Sequence, residues 1–363
     1  MTGFIDPPFT FSLEQRLQII QERPYLALRD SGNLWWPMVA KVVPATGKKL
    51  ISNWILQTAY IENLGQSTDL PTRELAIVDT TFTPENVGER LVLDLNSFED
   101  LDGGGIDALT EWTEQVSADS AHYPQRQIEA LLTNGTAAST ADMTYDGSVF
   151  FSVDHPLNPK TGKVKGTFAN YFTGTAGSGG CPSTDANRDA YPGAVPIDES
   201  VAFETAWLNL RKIYGYIASI RQANNIQPRF LSPWAIKCHP TMAPRVNSLL
   251  QAKFASFSNS STTTGGGSTD IQGQLTELGY VKVLKAPEMP ADGRYQVIAS
   301  QVQSSQLGAI VWVERKPFAI QTFWPTDGKN ADLARRNQME AHCRARNVAG
   351  YGKPELIFEC RKT

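Results

Sequence analysis

The sequence predicts an α+β protein of more than one compact unit, and three observations carry that prediction. A long helical stripe occupies 106–133, with Ile106, Leu109, Trp112, Val116, Ala121, Ile128, Leu131 and Leu132 at helical spacing. Before it, residues 35–95 alternate apolar runs with polar turns; after 229, strand-like runs dominate. A chain of 363 residues exceeds one ordinary domain and suggests about two to three units.

In chain order, Pro7-Pro8 precede a short helix signalled by Ser12 and Gln15 as a capping box. Leu13, Leu17 and Ile20 lie on one face of it, before Pro24. That stripe is too short to form a core alone and needs another surface. Val39–Val43, Trp54–Ile61 and Arg90–Leu95 read as strands, and Ala45–Lys49 as a turn. Some 60 residues of this kind without a core are rare in a compact domain. A two-stranded extension resting on an external surface resolves the difficulty, because an isolated hairpin is marginal in water.

Gly103-Gly104-Gly105 opens the long helix. Pro124 removes a backbone donor inside it and is expected to kink or split it. A second helix presents Phe203, Trp207, Leu210 and Tyr214 on one face and ends near Asn224. A strand over Arg229–Cys238 and helix signals over Pro240–Lys253 follow. Further strands are expected at Val281–Leu284, Tyr295–Ala299, Ala309–Val313, Phe318–Trp324 and Leu356–Cys360. The 173–196 and 256–269 stretches are rich in Gly, Ser and Thr and read as surface excursions.

Between the two long helices lies the most informative segment, 142–172. It carries Tyr145-Asp146-Gly147, Phe150-Phe151, Asp154-His155-Pro156 and Asn170. This order, following a helix with HYPQRQIEALL, resembles the major head subunit of Mu-like phages and prophages. So do Ala40–Thr46 with Trp54 downstream, the strand-Pro-helix succession after 229, and the closing Met339–Tyr351 segment. That family is a branch of the Hong Kong 97-type capsid proteins. The resemblance implies a Hong Kong 97-type fold divided into an N-terminal arm over 1–34, an extended E-loop over 35–95 and a peripheral domain over 96–228. An axial domain over 229–330 and a C-terminal return to the peripheral domain over 331–363 complete it. The helix over 106–133 becomes the spine, kinked at Pro124. Lys48, Lys49 and Trp54 become candidate contacts between subunits, and Asp154, His155 and Pro156 a structural turn.

The implied function is a shell subunit that assembles with itself in hexamers and pentamers into an icosahedral head around double-stranded DNA. Scaffold, portal and decoration proteins are the further partners it implies, in a virion assembled in the host cytoplasm. An encapsulin-like compartment shell of the same fold is the alternative.

The residues by themselves allow one other class, a soluble metal-dependent hydrolase using Asp154, His155 and His239. Against it, no pair of ligands shows the HExxH or CxxC spacing of zinc sites, and no GxSxG or SxxK nucleophile motif occurs. Asp154-His155-Pro156 serves better as a turn device, with His155 bonding loop carbonyls and Pro156 fixing the backbone. No catalytic, cofactor-binding or metal residue is therefore expected. The four cysteines, Cys181, Cys238, Cys343 and Cys360, are widely spaced and read as free thiols in a reducing compartment. Net charge is −4, with 33 basic and 37 acidic residues. That balance excludes the basic footprint of a tight nucleic-acid binder and fits a container that holds DNA without sequence-specific contacts. Met1–Pro8 has neither the basic nor the apolar region of a signal peptide, and no run approaches the ~18 apolar residues of a membrane span.

Overall fold

The computed structural model describes residues 34–55, 77–94, 104–160, 162–174, 191–223, 228–251, 254–256, 268–270, 281–301, 308–323 and 331–361. The N-terminal helix expected around 12–20 and the tracts 175–190 and 257–267 lie outside them.

Two sheets and two long helices carry the fold. A short helix α1 (Trp36–Val39) runs directly into strand β1 (Ala40–Pro44). Among the described residues, strands β2 (Leu50–Ile55) and β3 (Ile77–Phe82) pair only with each other, antiparallel. Strand β4 (Glu85–Asp94) follows, then the long helix α2 (Gly104–Thr133). A hairpin of β5 (His155–Asn158) and β6 (Gly162–Phe168) and the two-residue β7 (Tyr171–Phe172) lead to helix α3 (Phe203–Ser219). Next come β8 (Leu231–Cys238), helix α4 (Ala243–Gln251) and the small pair β9 (Phe254–Ser256) and β10 (Ser268–Asp270). The chain closes with β11 (Lys282–Lys285), β12 (Tyr295–Gln301), β13 (Ile310–Phe323), helix α5 (Ala331–Arg336), β14 (Gln338–Tyr351) and β15 (Ile357–Cys360).

One sheet has the order β1-β13-β14-β4 and the other β11-β8-β12-β15-β7. Both are mixed: β1 runs parallel to β13, and β11 parallel to β8, while β14 is antiparallel to both its neighbours. The span 35–95 is thus not one extension. Its first described strand and its last are built into the four-stranded sheet, and among the described residues of this span only β2 and β3 stand apart. Trp35, Trp36, Val39 and Ala40 explain the first: they are buried in the main core, and that burial holds β1 against β13.

Helix α2 runs unbroken through Pro124, so the helix is not split there. Val116, Ser120, Pro124, Ile128 and Leu132 all lie on its buried face at four-residue spacing. Pro124 has no N–H for the Ser120 carbonyl. The Ser120 hydroxyl meanwhile bonds back to the Val116 carbonyl at 2.6 Å, within the same turns. Helix α3 buries Trp207, Leu210, Tyr214 and Ile217 as its spacing requires and shares the main core with Ile128 and Leu132 of α2 and with the five-stranded sheet.

The sequence suggested two strands at Ala309–Val313 and Phe318–Trp324. They are one, β13, which passes the polar Glu314–Pro317 break with register shifts against β14 on either side of Lys316. Pro317 is tolerated because β1 ends opposite Glu314, leaving that part of β13 with a partner on one side only.

Candidate subunit interface

The β2–β3 pair is anchored at one end and open along one face. Its inner face carries Leu50, Val78 and Phe82, which pack with Ala45, Val311, Val313 and Val348 of the four-stranded sheet and with Tyr145. The anchor is Phe82, buried over Gly350. A methyl group added at Gly350 would stand 2.1 Å from the Phe82 ring, so glycine there is a requirement of close approach. The outer face carries Ile51, 60% exposed, and Ile77, 42% exposed. In this register Ile51 lies opposite Thr81 and Ile77 opposite Ile55, so the two isoleucines share that face.

Lys48 and Lys49 occupy the exposed bend that leads into β2. Trp54 lies in β2 with its backbone opposite Val78; its side chain falls outside the described residues. Of the three, Lys48 and Lys49 precede the hairpin and Trp54 lies in one of its strands.

Behind the hairpin, the segment singled out in the sequence folds into a buried polar hub. The Asp146-Gly147-Ser148 turn is closed by the Ser148 N–H donating to Asp146 Oδ1 at 3.1 Å, and Gly147 supplies a φ of 69°. Asp146 Oδ2 lies 2.6 Å from His155 Nδ1, with both side chains fully enclosed. His155 Nε2 faces two acceptors, the Phe150 carbonyl at 3.0 Å and Asn170 Oδ1 at 3.1 Å. Asn170 is oriented by its own amide, which donates to the carbonyls of Phe150 at 2.8 Å and Pro354 at 3.0 Å. With acceptors on both sides of the ring, both nitrogens carry protons and the imidazole is a cation. Burial pulls the His155 pKa down, but the Asp146 charge and the hydrogen bonds outweigh it, and the pKa rises. For Asp146, burial pushes up, while His155 and the Ser148 N–H pull harder, and the pKa falls.

The hub extends through an aromatic ring. Phe168 stacks on His155 with centroids 5.0 Å apart, and the Arg229 guanidinium lies 5.4 Å from the centroid of the same ring. Arg229 is ion-paired with buried Glu355 and donates to the Arg221 carbonyl at 2.8 Å. Glu355 Oε2 accepts from the Tyr145 hydroxyl at 3.1 Å. Burial raises the Glu355 pKa, and the Arg229 charge overcomes it, leaving the group lowered. Tyr145 and Val78 both pack against Ala223, so the hub reaches the inner face of the hairpin, on the side away from the Leu50–Phe82 pair.

The charged partner of His155 is Asp146 rather than the adjacent Asp154. Asp154 is next to it in sequence, but neighbours on an extended chain face opposite ways. Asp154 instead accepts from the Ser152 hydroxyl at 2.8 Å. Pro156 is buried and lies in β5 opposite Thr167. Asp146 and Asn170 stand out in the sequence only as carriers of the resemblance, with no role assigned to them; Arg229 and Glu355 come from distant sequence and leave no local signal.

A second buried charge joins the long helix to the five-stranded sheet. Lys237 of β8 is ion-paired with Glu129 of α2, donates to Gln296 Oε1 at 2.9 Å, and lies 4.3 Å from the centroid of the Trp35 ring. Gln296 donates onward to Glu359 at 3.1 Å, and Arg361 bonds Glu359 at 2.6 Å. Burial lowers the Lys237 pKa against the pull of Glu129, and burial raises that of Glu359 against Arg361. Buried pairs of this kind contribute registry more reliably than net stability.

None of this geometry suits hydrolysis. His155 is inaccessible and both its nitrogens are engaged. His239 bonds Thr241 at 2.8 Å in an exposed turn. Among the described residues no group of three or more His, Cys, Asp or Glu could hold a metal ion, and no helix is long and apolar enough to cross a membrane. Cys238, Cys343 and Cys360 are free and buried.

Residues 20–180 match the family described as Mu-like prophage major head subunit gpT. That family is structural. The fold is also similar to the bacteriophage JBD30 capsid, with a TM-score of 0.46 at 10% identity, over 91% of this chain and 65% of that one. The chain therefore spans just under two thirds of the JBD30 protein. A virus-like particle from Pyrococcus furiosus aligns with a TM-score of 0.46 at 9% identity over 97% and 100% of the two chains. The capsid of cyanophage P-SCSP1u aligns at 0.48 and 11% identity over 89% and 86%. No curated protein sequence matches the chain.

Proposed function

We propose that this chain is the major capsid subunit of a phage or prophage head of the Hong Kong 97 type, assembling with itself in hexamers and pentamers around double-stranded DNA. The Mu-like head-subunit match over 20–180 is the observation that carries this reading. In it, the β2–β3 hairpin is the E-loop, with Lys48, Lys49 and Trp54 meeting a neighbouring subunit. Residues 1–34 are the arm, α2 is the spine with its bend at Pro124, and the five-stranded sheet heads the axial domain.

Shells gain their stability from many modest contacts acting together, and heterologous contacts between identical copies close into rings. Scaffold, portal and decoration proteins complete the proposed assembly, which forms in the host cytoplasm. DNA contacts are sequence-independent. A compartment shell with enzyme cargo has no observation in its favour beyond those shared with a phage head.

The test is expression of the chain alone and with its candidate scaffold, followed by sedimentation and electron microscopy. Rings, tubes or closed shells are expected. A species that stays monomeric under both conditions would contradict the reading.

A further inference from the structure

The four-stranded sheet ends in two bare flanks that fit each other. At one edge, β4 has β14 on one side and, among the described residues, no strand on the other. At the opposite edge, β1 stops opposite Glu314, so among the described residues the 315–323 part of β13 has no strand on its outer flank either. Such flanks present a row of backbone donors and acceptors to any strand that can reach them.

The two flanks stand on the same rungs. Both strands are antiparallel to β14 and therefore run in the same direction. Gly88 and Ala319 both lie opposite Arg344, Arg90 and Gln321 opposite His342, and Val92 and Phe323 opposite Glu340. A second subunit set beside the first in the plane of the sheet thus brings its β13 flank level with β4, without a slide along the strands. Val92, 37% exposed, then meets Phe323 of the second copy on one face, because side chains on one rung point the same way.

Charge selects this pairing. Glu85 and Glu89 of β4 and Lys316 of β13 are exposed, and Arg315 is half-buried. Among the described residues none of these four forms an ion pair. Glu85 lies opposite Asn347 and Lys316 opposite Arg346, so in the level arrangement the carboxylates of one copy stand beside the cations of the next. Pro317 and the charges also blunt both edges against indiscriminate strands.

We infer that β4 of one subunit pairs in parallel with the outer flank of β13 in a second copy of this chain, so that the four-stranded sheets of neighbouring subunits run on into each other. The two flanks differ, so the contact is heterologous and closes into rings. The inference rests on the shell reading for its occupant and uses no part of the β2–β3 hairpin.

Disulfide trapping tests it. Arg90→Cys and Gln321→Cys change two exposed residues that the contact brings to the same rung, within disulfide reach across adjacent strands. Cys238, Cys343 and Cys360 are buried, and oxidised wild-type particles give the background. Particles assembled from an equal mixture of the two variants are expected to yield disulfide-linked dimers, and particles of the double variant a ladder of longer multimers. Either single variant alone stays at background. Particles without the mixed link, or dimers from Arg90→Cys alone, overturn the pairing. Charge reversal is the second readout. Glu85→Lys with Glu89→Lys is expected to raise the threshold concentration for assembly about tenfold, and adding Arg315→Glu with Lys316→Glu to return it to within about threefold of wild type. Failure of that rescue also overturns the pairing. If the wild type forms no particle alone or with scaffold, the shell reading fails and takes the contact with it.

Discussion

The hub around His155 and the β2–β3 hairpin differ in how completely the chain satisfies them. In the hub, the ring nitrogens of His155 face Asp146, Phe150 and Asn170, and Arg229 meets Glu355 with almost no solvent access. In the hairpin, one face is seated through Phe82 and Val78, while Ile51 and Ile77 face water. The first region is finished by intramolecular contacts. The second is a two-stranded sheet of a kind that is marginal alone, and among the described residues one of its faces is uncovered. Damage to the hub is therefore expected to appear in folding, and damage to the outer hairpin face in assembly.

The largest effect falls on the hub. His155→Ala leaves the Asp146 carboxylate buried without its counter-charge and is expected to destabilise the dissociated subunit by about 3–5 kcal/mol, measured by urea unfolding. The pair also has a pH signature. The lowered Asp146 pKa contributes stability that is present above its ordinary 3.8 and lost as pH falls through the folded value. The raised His155 pKa contributes stability that is complete below its ordinary 6.5 and lost as pH rises through the folded value. Wild-type urea midpoints should therefore decline at both ends, and His155→Ala should abolish the alkaline decline. An unchanged alkaline limb would assign that slope to another group.

Next comes the seam between the regions. Gly350→Ala drives a methyl group into the Phe82 ring, and overpacking of this kind costs about 1–3 kcal/mol. Proteolysis should then open the β2–β3 root before the rest of the subunit; uniform cleavage would show that Phe82 is not the anchor. Tyr145→Phe keeps the ring under Val78 but removes the donor to Glu355. It is expected to cost about 1–3 kcal/mol for the under-satisfied buried carboxylate, again in urea unfolding. Smallest for the subunit is Ile51→Asp, within about 0.5 kcal/mol as befits an exposed position. The same change should prevent particle formation in sedimentation. Wild-type particles from Ile51→Asp would break the comparison.

Much of this architecture is written in local pattern. The periodicity around Trp112–Leu132 and Phe203–Tyr214 located both long helices, because a helix that buries one face must repeat apolar residues at that spacing. Strand signals at Arg229–Cys238 and Tyr295–Ala299 worked for the same reason. The Glu314–Pro317 break misled, since a long strand with one free flank absorbs polar residues and a proline through a bulge. The 35–95 span was read as one extension because its strands look alike in sequence; only pairing partners separate β1 and β4 from β2 and β3. At the site, the sequence places His155 in a turn but does not indicate its counter-charge. Asp154 is adjacent and Asp146 is nine residues away, and choosing between them requires knowing which way an extended backbone turns its side chains. Arg229 and Glu355 meet only through the tertiary fold, so no local pattern could pair them.

Hydrogen exchange on free subunits and on assembled particles tests the central claim most directly. Amides of 150–172 are expected to be protected in both states. Those of 50–55 and 77–82 are expected to exchange rapidly in the free subunit and to become protected in the particle. A hairpin equally protected in both states would contradict the account, because it would show an element already complete within one chain.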